Sequence, residues 1–193
     1  LQVVGILSID VGDVVGLSKL KLKDPISGFG FEHEFRPMMS FNGYYTAESV
    51  EFSPDGKHLA VAWSSVRRDD KIGGVLIDLE SRNYSRVWSP GSADVDDAIF
   101  SPDGGLIAKT ENSTVFIYKI NGDSFNSFSC SNNIEKIAWS PDGKFMVVMY
   151  YSGKPEIWNI ENKVLVEKME GIGSYDAQDI ALSLDGNYLA SCN

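Results

Sequence analysis

The sequence predicts an all-β protein assembled from repeated units of four short antiparallel strands. Two observations predict it: a pentapeptide that returns at a nearly regular spacing, and strand-like alternation on both sides of each copy. A third supports them, since no segment carries an apolar stripe at the helical period of 3.6 residues.

Phe52-Ser53-Pro54-Asp55-Gly56 returns as Phe100-Ser101-Pro102-Asp103-Gly104 and as Trp139-Ser140-Pro141-Asp142-Gly143. Leu182-Ser183-Leu184-Asp185-Gly186 is a weaker copy, and Leu7-Ser8-Ile9-Asp10 a fainter one. Counted from the residue that opens each copy, the steps are 45, 48, 39 and 43 residues. Proline fixes φ, aspartate bonds its own backbone and glycine tolerates positive φ, so each copy reads as a tight turn. The alternating Ile134-Glu135-Lys136-Ile137-Ala138-Trp139 shows the strand that leads into such a turn. A second strand follows each turn, at 58–63, 106–110, 144–150 and 187–191. A third is plain in Val75–Leu79, Val115–Lys119 and Pro155–Asn159, and a more polar fourth, such as 163–169, closes the unit. Phe52, Phe100, Trp139 and Leu182 are expected at equivalent buried positions between units.

Four strands per 39–48 residues, repeated, describe the blades of a β-propeller. The turn and the third strand ending at Trp158-Asn159 resemble the WD40 family, with TolB-like propellers as cousins by turn motif. The resemblance runs from Ala47 to Asn193 and reaches 1–46 only thinly. No blade opens with the Gly-His pair of a WD repeat, and Tyr118-Lys119 and Asp78-Leu79 fill the other Trp-Asp slots. The hydrogen-bond network that those residues build in the family is therefore expected to be absent or degenerate. The expected organisation is one propeller unit over 1–193, with blades near 1–46, 47–91, 92–131 and 132–174 and the start of another at 175–193. A blade cut after its second strand leaves an open edge. Blades beyond this sequence are the favoured explanation; closure into a small ring is the alternative.

Composition bounds the partners. Of 193 residues 43% are hydrophobic, enough for a folded unit. No apolar run approaches the roughly 20 residues of a membrane span, and the opening LQVVGILSID is too short and too soon interrupted by acid for a signal peptide. The net charge of −10 argues against nucleic acid as the main partner. Lys19, Lys21 and Lys23, interleaved with Leu20 and Leu22, read as the wet face of one strand. Cys130 and Cys192 alone make no disulfide framework, which points to a reducing, cytoplasmic setting. Two sequons, at Asn83 and Asn112, matter only in a secreted chain.

An insertion suggests where a partner sits. From Gly104 to Tyr118 is 14 residues and from Gly143 to Trp158 is 15, but from Gly56 to Asp78 is 22. The excess falls in Ser64–Gly74, which carries Arg67 and Arg68 beside Asp69 and Asp70. Resemblance to WD40 blades implies that this loop shares the partner-binding face with Tyr44, Tyr45, Tyr150, Tyr151, Tyr175 and Asp176. Asp94, Asp96 and Asp97 join them as a solvated or turn-forming cluster, and Asp55, Asp103 and Asp142 belong to structural turns on the opposite face. Tyrosine and arginine are the side chains that anchor interfaces, and paired arginines suit an acidic peptide or domain. Insertions of this size are also often idle.

No catalytic residue, cofactor or metal ligand set is expected. The two histidines, His33 and His58, have no nucleophile partner in any recognisable motif, and G-x-S-x-G, H-E-x-x-H and C-x-x-C are missing. Gly28–Gly30 lacks the rest of a dinucleotide fingerprint, and Asp94, Asp96 and Asp97 fall short of a calcium loop. The functional expectation is a non-catalytic scaffold that binds a protein or peptide within a larger complex or longer chain. The alternative is a propeller that supports or gates a catalytic domain, such as a peptidase, elsewhere on a longer chain.

Overall fold

The computed structural model describes residues 14–23, 30–40, 45–65, 73–81, 84–85, 95–169 and 179–192. The chain divides into two compact units, 1–46 and 47–193. In the first, β1 (Val14–Lys23) pairs antiparallel with β2 (Gly30–Ser40) in a register that sets Lys19 opposite Glu34 and Lys21 opposite Glu32. Lys19, Lys21 and Lys23 thus lie in a strand.

Three antiparallel sheets follow, each with its four strands in chain order. The first holds β3 (Tyr45–Phe52), β4 (His58–Ser65), β5 (Gly73–Asp78) and β6 (Tyr84–Ser85). The second holds β7 (Ala98–Phe100), β8 (Leu106–Glu111), β9 (Thr114–Lys119) and β10 (Ser124–Ser129). The third holds β11 (Ile134–Trp139), β12 (Phe145–Tyr150), β13 (Glu156–Asn159) and β14 (Val164–Lys168). A hairpin of β15 (Asp179–Leu182) and β16 (Leu189–Cys192) comes last. The described residues contain no helix. This is the architecture of a partial, WD40-like propeller.

The pentapeptide closes the first strand of each sheet onto the second by the same set of bonds. In the third sheet Ser140 Oγ donates to Asp142 Oδ1 at 2.6 Å, and Asp142 Oδ1 accepts the Lys144 N–H. Ser140 Oγ also accepts the Phe145 N–H at 2.9 Å. The turns at Ser53, Ser101 and Ser183 repeat this arrangement. These bonds hold the carboxyls of Asp55, Asp103, Asp142 and Asp185 below the usual carboxylate range, the serine hydroxyl being the largest influence in each. Each glycine sits at positive φ, near +70°. Successive turns also touch: a Cβ on Gly104 would lie 3.4 Å from Pro54 Cδ, and one on Gly186 would lie 3.6 Å from Pro141 Cδ.

The core lies between sheets. Along β12, Met146, Val148 and Tyr150 pack with Val115, Ile117 and Phe128 of the second sheet. The alternate residues Val147 and Met149 face Ile180 of the hairpin. Buried on both faces, the strand reads as a continuous apolar run. Phe100 packs with Ala60, Ala62 and Leu76 of the first sheet, and Trp139 lies in the cluster between the second and third.

Phe52 departs from expectation. Phe100 and Trp139 are only 5% and 7% exposed, but Phe52 is 49% exposed and Leu182 is half-buried. The side chain at this position is covered by the preceding sheet. Within the second unit no sheet precedes Phe52, and Leu182 belongs to two strands rather than four.

Candidate partner-binding site at the loop ends of the strands

Each pentapeptide turn joins the end of a first strand to the start of a second, so the turns between second and third strands and the links from one sheet to the next lie at the opposite strand ends. There the second and third sheets enclose a pocket of about 530 Å³. Its walls are Asn112-Ser113 from the β8–β9 turn, Ser131-Asn132-Asn133 between the two sheets, and Tyr151-Ser152 after β12. Asp96, Ile134 and Glu135 complete it.

Backbone bonds fix these walls. Ile134 N–H donates to the Asn112 carbonyl and Cys130 N–H to the Ser113 carbonyl, both at 2.7 Å, while Tyr151 N–H donates to the Asn133 carbonyl. Asn112 itself holds φ at +52°, in the left-handed region that asparagine tolerates better than most residues. Gly153 holds φ at +124°, and a Cβ there would stand 3.0 Å from the Asn132 amide nitrogen, so glycine fits where a larger residue is strained.

A buried carboxylate braces the same walls from behind. Glu156, at the start of β13, accepts hydrogen bonds from the Tyr150 hydroxyl, Trp158 Nε1 at 3.0 Å and Ser131 Oγ at 2.9 Å. Lys168 Nζ is 2.9 Å from Oε1, the oxygen that Ser131 also reaches. Burial alone raises its pKa, but the bonds from Tyr150, Lys168, Ser131 and Trp158 outweigh burial and hold it below the usual range. Burial and the bond to Glu156 raise the Tyr150 hydroxyl far above its ordinary value. Burial pushes the Cys130 thiol up to about 12, so it is neutral and unreactive at pH 7.

Several expected residues move. Tyr151 is 60% exposed on the rim and Asp96 lines the wall. Tyr150 is corrected: it is fully buried, because it shares the face of β12 that carries Met146 and Val148. Asp97 is corrected too, being buried rather than solvated. It accepts the Ala98 N–H and, across to the third sheet, the Ile137 N–H at 3.1 Å. Tyr45 begins β3, but its side chain lies outside the described residues. Tyr44, Arg67, Arg68, Asp94, Tyr175 and Asp176 also lie outside them. Asn132, Asn133, Glu135 and Glu156 carry no signal of a site in the sequence, and Asn112 stands out there only as a sequon. An Asn-Ser or Asn-Asn pair between strands signals only a turn.

A second concavity of about 650 Å³ runs along β3, β7, β11 and β15, the first strand of each sheet. Ser49, Asp97, Lys136 and Asp179, each three residues before the repeat hydrophobe, line it. Lys136 Nζ donates to the Asp96 carbonyl at 3.2 Å and lies 4.0 Å from Asp97 Oδ1. Glu51 Oε2 accepts the Phe100 N–H at 2.6 Å, tying the first sheet to the second. Burial pushes the Glu51 carboxyl up to about 7, against the Phe100 bond and helped by the Asp97 charge.

Elsewhere Ser81, Asp78 and His58 adjoin one another, but Ser81 Oγ donates to Asp78 and His58 Nε2 is 3.8 Å from the other Asp78 oxygen. The carboxylate stands between hydroxyl and imidazole, so the imidazole does not act on the hydroxyl as it does in a nucleophilic triad.

Against known proteins, the family described as the anaphase-promoting complex subunit 4 WD40 domain matches residues 77–175, just over half of the chain. The chain belongs to this WD40 family. Protein interaction is the general business of WD40 domains, and this one is a domain of that scaffold kind. Among solved structures, a chain of Kuenenia stuttgartiensis hydrazine synthase is similar at 18% identity and a TM-score of 0.63. The likeness covers 75% of this chain and 41% of that one, and it shows the propeller fold alone. Among curated proteins, none matches the sequence.

Proposed function

We propose that this WD40 domain is a non-catalytic docking scaffold that holds a protein or peptide partner within a multi-protein assembly. The observation that carries the reading is the polar pocket between the second and third sheets. It is concave, backed by a satisfied hydrogen-bond network and rimmed by an exposed tyrosine. Docking sites gain affinity from such preorganisation, since less side-chain and loop freedom is lost on binding. The description of the matching family names a subunit of a complex, which supports the assembly role. Affinity capture from the native source, comparing wild type with Tyr151→Ala and Asn132→Ala, tests it. Both variants lose a shared set of partners, whereas Glu161→Ala, on the exposed turn after β13, keeps them. Equal capture by all four proteins would refute the reading.

A further inference from the structure

We infer that the pocket between the second and third sheets holds an uncharged, extended segment of the partner by its main-chain amide groups. This deepens the docking reading and rests on it. Among the described residues of the lining none is lysine or arginine, and its two carboxylates, Asp96 and Glu135, are already engaged within the protein. The side chains left uncommitted are neutral. Those of Asn112, Ser113, Asn132, Asn133 and Ser152 make no hydrogen bond among the described residues. Each can both donate and accept, and a carboxamide matches a peptide group bond for bond, N–H to C=O in both directions. They stand on two sides, with Asn112 and Ser113 after β8 of the second sheet and Ser152 after β12 of the third. Asn132 and Asn133 lie on the link between the sheets, and the Asn132 amide is held over Gly153. Peptide groups of an extended chain point alternately to opposite sides, so a segment running between these walls meets partners on both. A cationic segment would compete with the partners that Asp96 and Glu135 already have, and an anionic one would find no lining cation. An apolar side chain gains little, because Ile134 on the lining is only 1% exposed. Main-chain pairing supplies affinity without asking for any of these side chains.

The test titrates the 15N-labelled chain with acetyl-tetraglycine-amide and with acetyl-tetrasarcosine-amide, in which each residue's N–H is replaced by N–CH3. Tetraglycine is expected to shift amide resonances of residues 112–113, 131–134 and 151–153. Tetrasarcosine binds at least about tenfold more weakly. Replacing one glycine by lysine or glutamate changes the affinity by less than about threefold. Asn132→Ala and Ser152→Ala each weaken tetraglycine by about threefold to tenfold. Melting temperatures stay unchanged, because neither side chain is bonded in the free protein. Asn112→Gly, which keeps the positive φ available, weakens the peptide in the same way. Equal binding of the two peptides, no shift at these residues, or a lysine or glutamate peptide more than about tenfold tighter overturns the inference. Partner capture separates the two readings. If Tyr151→Ala loses partners while tetraglycine neither binds nor competes, main-chain recognition is wrong and docking stands. If tetraglycine binds here while every pocket variant keeps its partners, docking is wrong and the main-chain site stands.

Discussion

Trp139 and Phe52 hold the same place in the repeat, one residue before Ser-Pro-Asp-Gly, yet one is buried and the other half-exposed. The difference lies in the neighbours: Trp139 has the second sheet against it, and Phe52 has no preceding sheet in its unit. A repeat position therefore encodes a contact with another repeat rather than burial in its own sheet, as nearest-neighbour models of repeat proteins hold.

The sharpest way to break this comparison is to truncate both residues. Trp139→Ala is expected to cost about 3–5 kcal/mol in urea unfolding, and Phe52→Ala less than about 1 kcal/mol. Equal losses would mean that something covers Phe52. Next in size is Glu156→Ala, which strands the Tyr150 hydroxyl and Trp158 indole N–H in the interface that buries Trp139. A loss of about 2–3 kcal/mol is expected, with Lys168→Ala much milder because that ammonium is half in solvent. Ser140→Ala removes one of the four copies of this turn bond among the described residues and should lower stability by about 1 kcal/mol.

Titration adds the gentlest test, with opposite signs in two regions. The turn aspartates have lowered pKa values, so their contribution is present above the unfolded value near 3.8 and lost as pH falls through the folded values. Glu51 is raised from 4.5 to about 7, so the folded protein binds the extra proton in that window and stability declines as pH rises through it. The urea midpoint should therefore rise from pH 8 to pH 5 and fall below about pH 4. Glu51→Gln should flatten the upper limb alone; an unchanged limb would remove Glu51 as its cause.

The turn ends of the strands were legible because Ser, Pro, Asp and Gly carry their conformations with them. The pattern at 134–139 gave β11 its ends for the same reason. Burial of Phe52 was not legible, since it depends on a sheet outside the local sequence. Tyr150 was misread as a strand-end interface residue although its parity with Met146 and Val148 places it on the face that meets the second sheet. The pocket was half visible: Tyr151 and Asp96 stood out by type. Asn112, Asn132 and Glu135 come together only when two sheets meet, and no spacing within one repeat records that meeting.

The contact between the proline of one turn and the glycine of the next has a consequence for how such a chain can grow. Both halves of the joint lie within the same five residues. Tandem duplication of a segment that includes them copies the plug and the socket together, so a new unit arrives already fitted to its neighbours on either side. Lineages can then add or lose blades without inventing a new seam, while the connections at the other end of the strands remain free to diverge.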